Sequence, residues 1–334
     1  MKQSQLDSAS IQTIDPLPFK EAERIASEVL AQISTAVIAD NDFLELLLTS
    51  VISRGHVHLE DVPGTGKTVT AQVLAQALGV TFNRIQFTPD LLPADITGSH
   101  IYDEVEKNFD FQEGPVFANV VLADEINRAP PKTQAALLEA MGEGQVSVDG
   151  ESYELPKPFF VIATQNPIEQ QGTFELPEAQ RDRFAIKSKM GYPERSGERE
   201  LLDRRENRRT QIPSVTAVSD PETLRRLQIT AEQVSVDGSV KDYIIDIARH
   251  TRQDDRVENG VSPRGVQKMF EVVRAAPVIE GRDYVTPHDV KRLARPVFAH
   301  RLVLTTESGV RDVDPNTIID EALDSIAVPG ADGE

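Results

Sequence analysis

Three groups of residues in this sequence have types and spacings suited to phosphate chemistry. The first is the turn Asp61-Val62-Pro63-Gly64-Thr65-Gly66-Lys67-Thr68. It follows the apolar run His56-Val57-His58-Leu59 and leads into residues 69–79, which read as a helix. Strand, glycine-rich turn and helix in that order present backbone N–H groups and a helix N-terminus to phosphates. Pro63, Gly64, Thr65, Gly66, Lys67, Thr68 and Val69 are then the candidate ligands of ATP. Lys67 reaches the outer phosphates, and the Thr68 hydroxyl reaches Mg²⁺. The usual pattern opens with glycine where this chain has Asp61. An acid near a triphosphate costs affinity unless it is paired or turned away, so Asp61→Gly is expected to leave ATP binding intact or improve it.

The second group is Asp124-Glu125, at the end of the apolar run 115–123. Adjacent carboxylates there place Asp124 over Mg²⁺ and Glu125 where it can activate an attacking water. The third group is dispersed. Asn166 ends the strand expected beside that of Asp124, where a neutral amide orients the water and meets the γ-phosphate. Arg183, in Pro177-Glu178-Ala179-Gln180-Arg181-Asp182-Arg183-Phe184, is placed to reach a neighbouring subunit's γ-phosphate, with Arg181 the alternative. Arg264 opens a helix and is expected to touch the nucleotide in cis. His56, His58, His250, His288 and His300 have no metal-ligand spacing and read as structural or surface residues.

The elements that must position these groups follow from periodicity and turn chemistry. Residues 1–18 are polar and read as a disordered lead-in. Ile25, Val29, Ile33 and Val37 lie four apart on one helix face, and Asn41-Asp42 caps a second helix. Between them, Val37-Ile38-Ala39-Asp40 either contacts adenine or packs between helices. Strands are predicted over 80–87, 115–123, 159–164 and 184–187, with an irregular polar stretch over 89–114 and a helix over 131–142. Residues 145–155 alternate around Asp149-Gly150, a hairpin signal. Strands separated by helices, with polar residues at one end of each, describe a parallel sheet with the site at its C-terminal edge. The expected domains are a core over 19–210, a linker over 211–218, a wholly helical domain over 219–328 and a frayed tail over 329–334.

Composition narrows the partners. With 334 residues, two domains are the prior. There are no cysteines, so disulfides are excluded and a reducing cytoplasm is the expected compartment. No apolar run approaches the roughly 20 residues needed to span a membrane. Acidic residues number 54 against 35 basic, a formal charge of −19. Such a surface disfavours nucleic acid and anionic membranes. With only 11 lysines, it also suits a salt-rich cytoplasm, so a halophilic source is expected.

Longer strings carry a resemblance. Gln86-Phe87-Thr88-Pro89-Asp90-Leu91-Leu92-Pro93, Asp124-Glu125-Ile126-Asn127-Arg128-Ala129-Pro130-Pro131, Ala163-Thr164-Gln165-Asn166-Pro167 and Leu176-Pro177-Glu178-Ala179-Gln180 are similar to the MoxR family of AAA+ ATPases. Ser262-Pro263-Arg264 and Gly281-Arg282-Asp283-Tyr284-Val285-Thr286-Pro287 extend the likeness into the second domain. The resemblance implies a three-layer αβα core with a helical lid, and a ring, usually hexameric, with ATP between subunits. Asn166 is then the first sensor, Arg183 the arginine finger and Arg264 the second sensor. Residues 90–114 and 145–155 supply an insert and a hairpin facing the pore or a client. Members resemble chaperones that remodel proteins or assist metal-cofactor insertion, often with a partner bearing a von Willebrand factor A domain. The competing expectations are a nucleotide-controlled scaffold with little turnover and, disfavoured by the charge, a DNA-associated motor.

Overall fold

A computed structural model of the chain describes residues 14–105, 107–167, 172–207 and 213–330. Most of the expected lead-in, the first two residues of the expected linker and the last four of the tail lie outside the described residues. The order begins α1 (Phe19–Ala36), α2 (Asn41–Ile52), β1 (His56–Glu60), α3 (Lys67–Leu78), β2 (Phe82–Gln86) and α4 (Pro93–Thr97). It continues through β3 (Gly98–Asp103), β4 (Asn108–Glu113), β5 (Val120–Asp124), α5 (Pro131–Glu143), β6 (Gln145–Val148) and β7 (Glu151–Glu154). Then come β8 (Phe160–Gln165), α6 (Glu178–Arg181), β9 (Phe184–Ser188) and α7 (Arg195–Asn207). The second domain comprises α8 (Pro221–Gln233), α9 (Gly238–Thr251), β10 (Val257–Asn259), α10 (Pro263–Ile279), α11 (Pro287–Phe298), β11 (Val303–Leu304), α12 (Thr306–Val310) and α13 (Pro315–Ser325).

Five strands form one parallel sheet in the order β2-β5-β8-β1-β9. β5 and β8 are neighbours, as the placement of Asn166 required, and all five strands deliver their C-terminal ends to one edge. Burial explains their apolar runs, because both faces are covered. One face packs Val57, Leu59, Leu122 and Ile162 with α1–α3 and the second domain, and the other packs Val121, Val161 and Ala163 with α5.

The second domain rests on the flank of the core. α10 packs on α1 and α2, and α11 packs on β9. A single cluster runs from Val29 and Leu48 through Ile186 to Met269 and Val297. This domain is not wholly helical as expected, because β10 and β11 form a two-stranded ribbon. Its helix starts follow the cap chemistry of the sequence. Ser262 and Thr286 each accept a hydrogen bond from the N–H three residues on, with proline at the first helical position.

Several expectations are corrected. Leu17 is buried, and its N–H donates to Thr230 Oγ1 on α8 at 2.8 Å, so the end of the lead-in is tied down. The cap of α2 is Asp40, which accepts from the Asp42 N–H, one residue earlier than Asn41-Asp42. The stretch 89–114 is ordered into α4 and the antiparallel pair β3–β4. The fifth strand begins only at Val120, because residues 115–119 form turns that end at Asn119, whose side chain bridges Thr81 and the Pro158 carbonyl.

Candidate active site

The cleft lies beyond the C-terminal ends of β1, β2, β5 and β8, with a volume of about 420 Å³. The turn after β1 and the start of α3 contribute Pro63, Gly64, Gly66, Lys67, Thr68 and Val69 to its wall. The strands contribute Arg84, Gln86, Asp124, Glu125, Thr164 and Asn166. Gly66 adopts φ +97°, a left-handed conformation open to glycine, and this hands the chain directly into α3. Thr65 is absent from the wall, and its hydroxyl turns back to the Val62 carbonyl at 3.4 Å.

Lys67 Nζ donates to the carbonyls of Asp61 and Val62 at 2.8 and 2.9 Å. Burial lowers its pKa, opposed by the charges of Asp61, Asp124 and Glu125. Asp61 does not face the cleft. It is 7% exposed, with one carboxylate oxygen on the Val62 N–H and the other on the N–H groups of Met190 and Gly191. The departure from glycine therefore brings no unpaired charge to the phosphate side.

The acidic pair is tightly held. Asp124 Oδ1 accepts from the Thr164 hydroxyl at 2.6 Å, and Oδ2 accepts from Arg84 Nε and Nη2 at 3.1 and 2.7 Å. Glu125 has φ +57°, a strained backbone for a non-glycine residue, and its N–H donates to the same Thr164 oxygen. Its carboxylate accepts from Gln86 Nε2 at 2.8 Å and Arg128 Nη1 at 3.0 Å. Thr164 thus fixes both acids from the neighbouring strand. The donor set suits a magnesium nucleotide: a hydroxyl and a carboxylate for the hard cation, and an ammonium with backbone N–H groups for phosphate oxygens.

The three remaining candidates lie elsewhere. Arg183 precedes β9 and so sits at the opposite end of the sheet from the cleft, roughly 17 Å away at the rise of a five-residue strand. Its Nη1 donates to the Leu138 carbonyl on α5, lying where a side chain at Gly142 would collide with it. Arg264 pairs with Asp182 at 3.6 Å, is half exposed and is not among the residues lining the cleft. The reason is the flank position of the second domain, which brings α10 to the α6–β9 corner. Arg181 lines a separate groove beside β9 with Lys187 and Lys189.

Sequence reasoning missed Arg84, Gln86, Thr164, Arg128 and Arg301. Arg84 and Gln86 had a readable signal, since residues two apart on a strand share a face and Gln86 ends β2 as Asp124 ends β5. Arg301 had none. It is buried, donates to Asp182 at 2.9 Å and to the Phe184 carbonyl at 2.7 Å, and burial pulls its pKa down to about 10. It pins the α6–β9 corner to the second domain. The buried histidines are structural, as expected: His56 Nδ1 accepts from the Val161 N–H, and Nε2 faces the Met141 carbonyl. His100, which sequence reasoning left aside, joins the two hairpins by contacting Asp149 and the Tyr153 hydroxyl at 3.0 Å each. Among the described residues there is no cluster of metal-ligating side chains, and no helix is long and apolar enough to cross a membrane.

A five-stranded parallel sheet with a phosphate-type loop after β1, an acidic pair ending β5 and a following helical domain defines an AAA-type nucleotide-binding protein. Family models agree: residues 56–186 match the ATPase family associated with various cellular activities, and residues 249–322 match the AAA lid domain. The chain is 43% identical over 305 residues to the uncharacterized protein YeaC of Bacillus subtilis, covering 91% of this chain and 95% of that one. It is 40% identical to chaperone MoxR1 of Mycobacterium tuberculosis, covering 92% and 85%, and 32% identical to protein MoxR of Paracoccus denitrificans, covering 94% and 97%. A crystal structure of a candidate ATPase from Cytophaga hutchinsonii superposes with a TM-score of 0.86 at 34% identity, covering 93% and 97%. The chain belongs to the MoxR family of AAA+ ATPases.

Proposed function

We propose that this protein binds ATP with Mg²⁺ and hydrolyses its β–γ phosphoanhydride to remodel client proteins. The observation that carries the reading is the convergence of Lys67, Thr68, Asp124, Glu125 and Asn166 on one cleft. Backbone N–H groups of the loop and Lys67 bind the phosphates. Thr68 and Asp124 are the residues that would hold Mg²⁺, which would offset negative charge on the phosphates. Glu125 takes the proton of the attacking water, Asn166 orients that water, and Thr164 keeps both acids in register.

The site of one chain is half a site. Arg183 and Arg264 both lie at the α6–β9 corner, outside the lining of their own cleft. We assign them to the cleft of a neighbouring subunit in a ring, of which a hexamer is the expected size. Arg183 is the finger that neutralises transition-state charge, with Arg181 the alternative.

The client surface is the β3–β4 hairpin. Ile101, Tyr102, Val105 and Phe109 are exposed there, with the Tyr102 and Phe109 rings 5.2 Å apart. An apolar patch of this kind marks a protein-binding surface. Metal-cofactor insertion and a partner with a von Willebrand factor A domain belong to the same proposal, as do a cytoplasmic location and, from the acidic excess, a salt-rich one. A scaffold with little turnover is favoured by one observation, the engagement of Glu125 by Gln86 and Arg128. A crosslinked pulldown with Glu125→Gln in ATP tests the remodelling role. Specific proteins enriched over a Lys67→Ala control support it, and an identical background in both counts against it.

A further inference from the structure

We propose that Asp61 is a positioning residue that couples occupancy of the phosphate loop to the connector leaving β9. The inference rests on the nucleotide reading of the cleft and concerns what that loop is attached to.

Asp61 makes a contact through every polar atom it has. Its N–H donates to the Gln165 carbonyl at 3.1 Å, beside Asn166 at the end of β8. Its carbonyl accepts from Lys67 Nζ at 2.8 Å. Oδ1 accepts from the Val62 N–H at 2.8 Å, and Oδ2 from the N–H groups of Met190 and Gly191 at 3.0 and 2.8 Å. With 7% of its surface exposed, the residue is enclosed by these partners. A carboxylate that accepts three backbone N–H bonds out of water is held far more strongly than a neutral acceptor would be.

The connector also touches the loop through Met190. Its Cε lies 3.7 Å from where a Gly66 side chain would begin, and its sulfur lies 3.7 Å from the Thr70 hydroxyl. Five residues past Met190 the chain enters α7, and from there it leads toward α8 and the second domain. One residue therefore joins the phosphate lysine, the strand end that carries Asn166 and the start of the path to the lid. When a triphosphate draws Lys67 Nζ away from the Asp61 and Val62 carbonyls, the turn is released on one side. The carboxylate is the rigid link that carries the change to Met190 and Gly191.

Asparagine is close in shape but cannot accept from all three N–H groups, because one of its two atoms is itself a donor. Glycine removes the link altogether and restores the usual opening residue of the loop. The test is hydrogen–deuterium exchange of the full chain, with and without a saturating non-hydrolysable ATP analogue and Mg²⁺. Analogue affinity is measured in parallel by fluorescence. In the wild type the analogue is expected to change exchange at Met190, Gly191 and α7. In Asp61→Asn that change falls by about half or more at saturation. In Asp61→Gly the connector response is lost. A purely structural role would leave the response intact once the analogue is saturating.

Asp61→Asn and Asp61→Gly responding at the connector as the wild type does would overturn the coupling while leaving the nucleotide site standing. A wild-type chain that does not bind the analogue overturns the site and the coupling together. If Asp61→Gly fails to fold, Asp61→Asn alone decides.

Discussion

The Gln86 side-chain amide donates to the Glu125 carboxylate across 2.8 Å, from the end of β2 to the end of β5. A carboxylate so engaged is held back from an attacking water, because the amide N–H occupies one of its acceptor positions. Gln86→Leu removes one of its two donors. Unstimulated ATP turnover is therefore expected to rise severalfold with little change in KM. A fall in kcat would mean that Gln86 assists the reaction instead of restraining it.

Arg84 and the magnesium cation require the same carboxylate. Its guanidinium donates twice to Asp124 Oδ2, the group assigned to Mg²⁺. Arg84→Ala is expected to lower the Mg²⁺ concentration that gives half-maximal analogue binding by about threefold, since a charge-assisted contact no longer competes. An unchanged or raised requirement would show that Arg84 helps to build the cation site.

Arg183 tests the shared site. Arg183→Ala is expected to bind ATP like the wild type yet lose about 10³-fold in turnover, the usual cost of removing an arginine finger. Mixed with Lys67→Ala, which has a working arginine but no working loop, it regains a measurable fraction of activity. Two inactive variants that stay inactive when mixed argue against a composite site. Gly142→Ala acts on the same arginine from α5, because the added carbon lies 2.6 Å from Arg183 Nη1.

Acid sensitivity follows from the buried histidines. Burial lowers the pKa of His56 and His58 from 6.5 to about 4, and pushes His300 down as well. The unfolded chain binds these protons first, so stability is full above about pH 6.5 and is lost as pH falls toward about 4. Each of His56 and His58 contributes a loss on the order of 3 kcal/mol over that window. Thermal unfolding from pH 7.5 to 4.5 checks this, and His58→Gln is expected to flatten the dependence. A melting temperature constant down to pH 5 would contradict the buried neutral state.

Much of this was legible in the chain. The turn at residues 61–68, the acids ending β5 and the hairpin signal at Asp149-Gly150 are local chemistry, and local chemistry survives folding. The pairing of Arg264 with Asp182 had no local signal, because a helix start says nothing about where the helix docks. Its position is decided by Met269 and Val273 in a core shared with α1 and α2. Asp61 was read as an oddity because its partners, Met190 and Gly191, are about 130 residues away in sequence. The stretch 89–114 looked irregular since β3 and β4 are largely exposed, β3 has no apolar alternation, and β4 offers only Phe109 and Phe111.

The most direct test is Mg²⁺-dependent phosphate release by the full chain, measured across protein concentration alongside Glu125→Gln. The wild type is expected to release phosphate, with specific activity rising as subunits associate. Glu125→Gln is expected to bind ATP and release essentially none. No turnover by the wild type at any concentration, or equal turnover by the two proteins, would contradict the assignment of this cleft as a hydrolytic site based on Glu125.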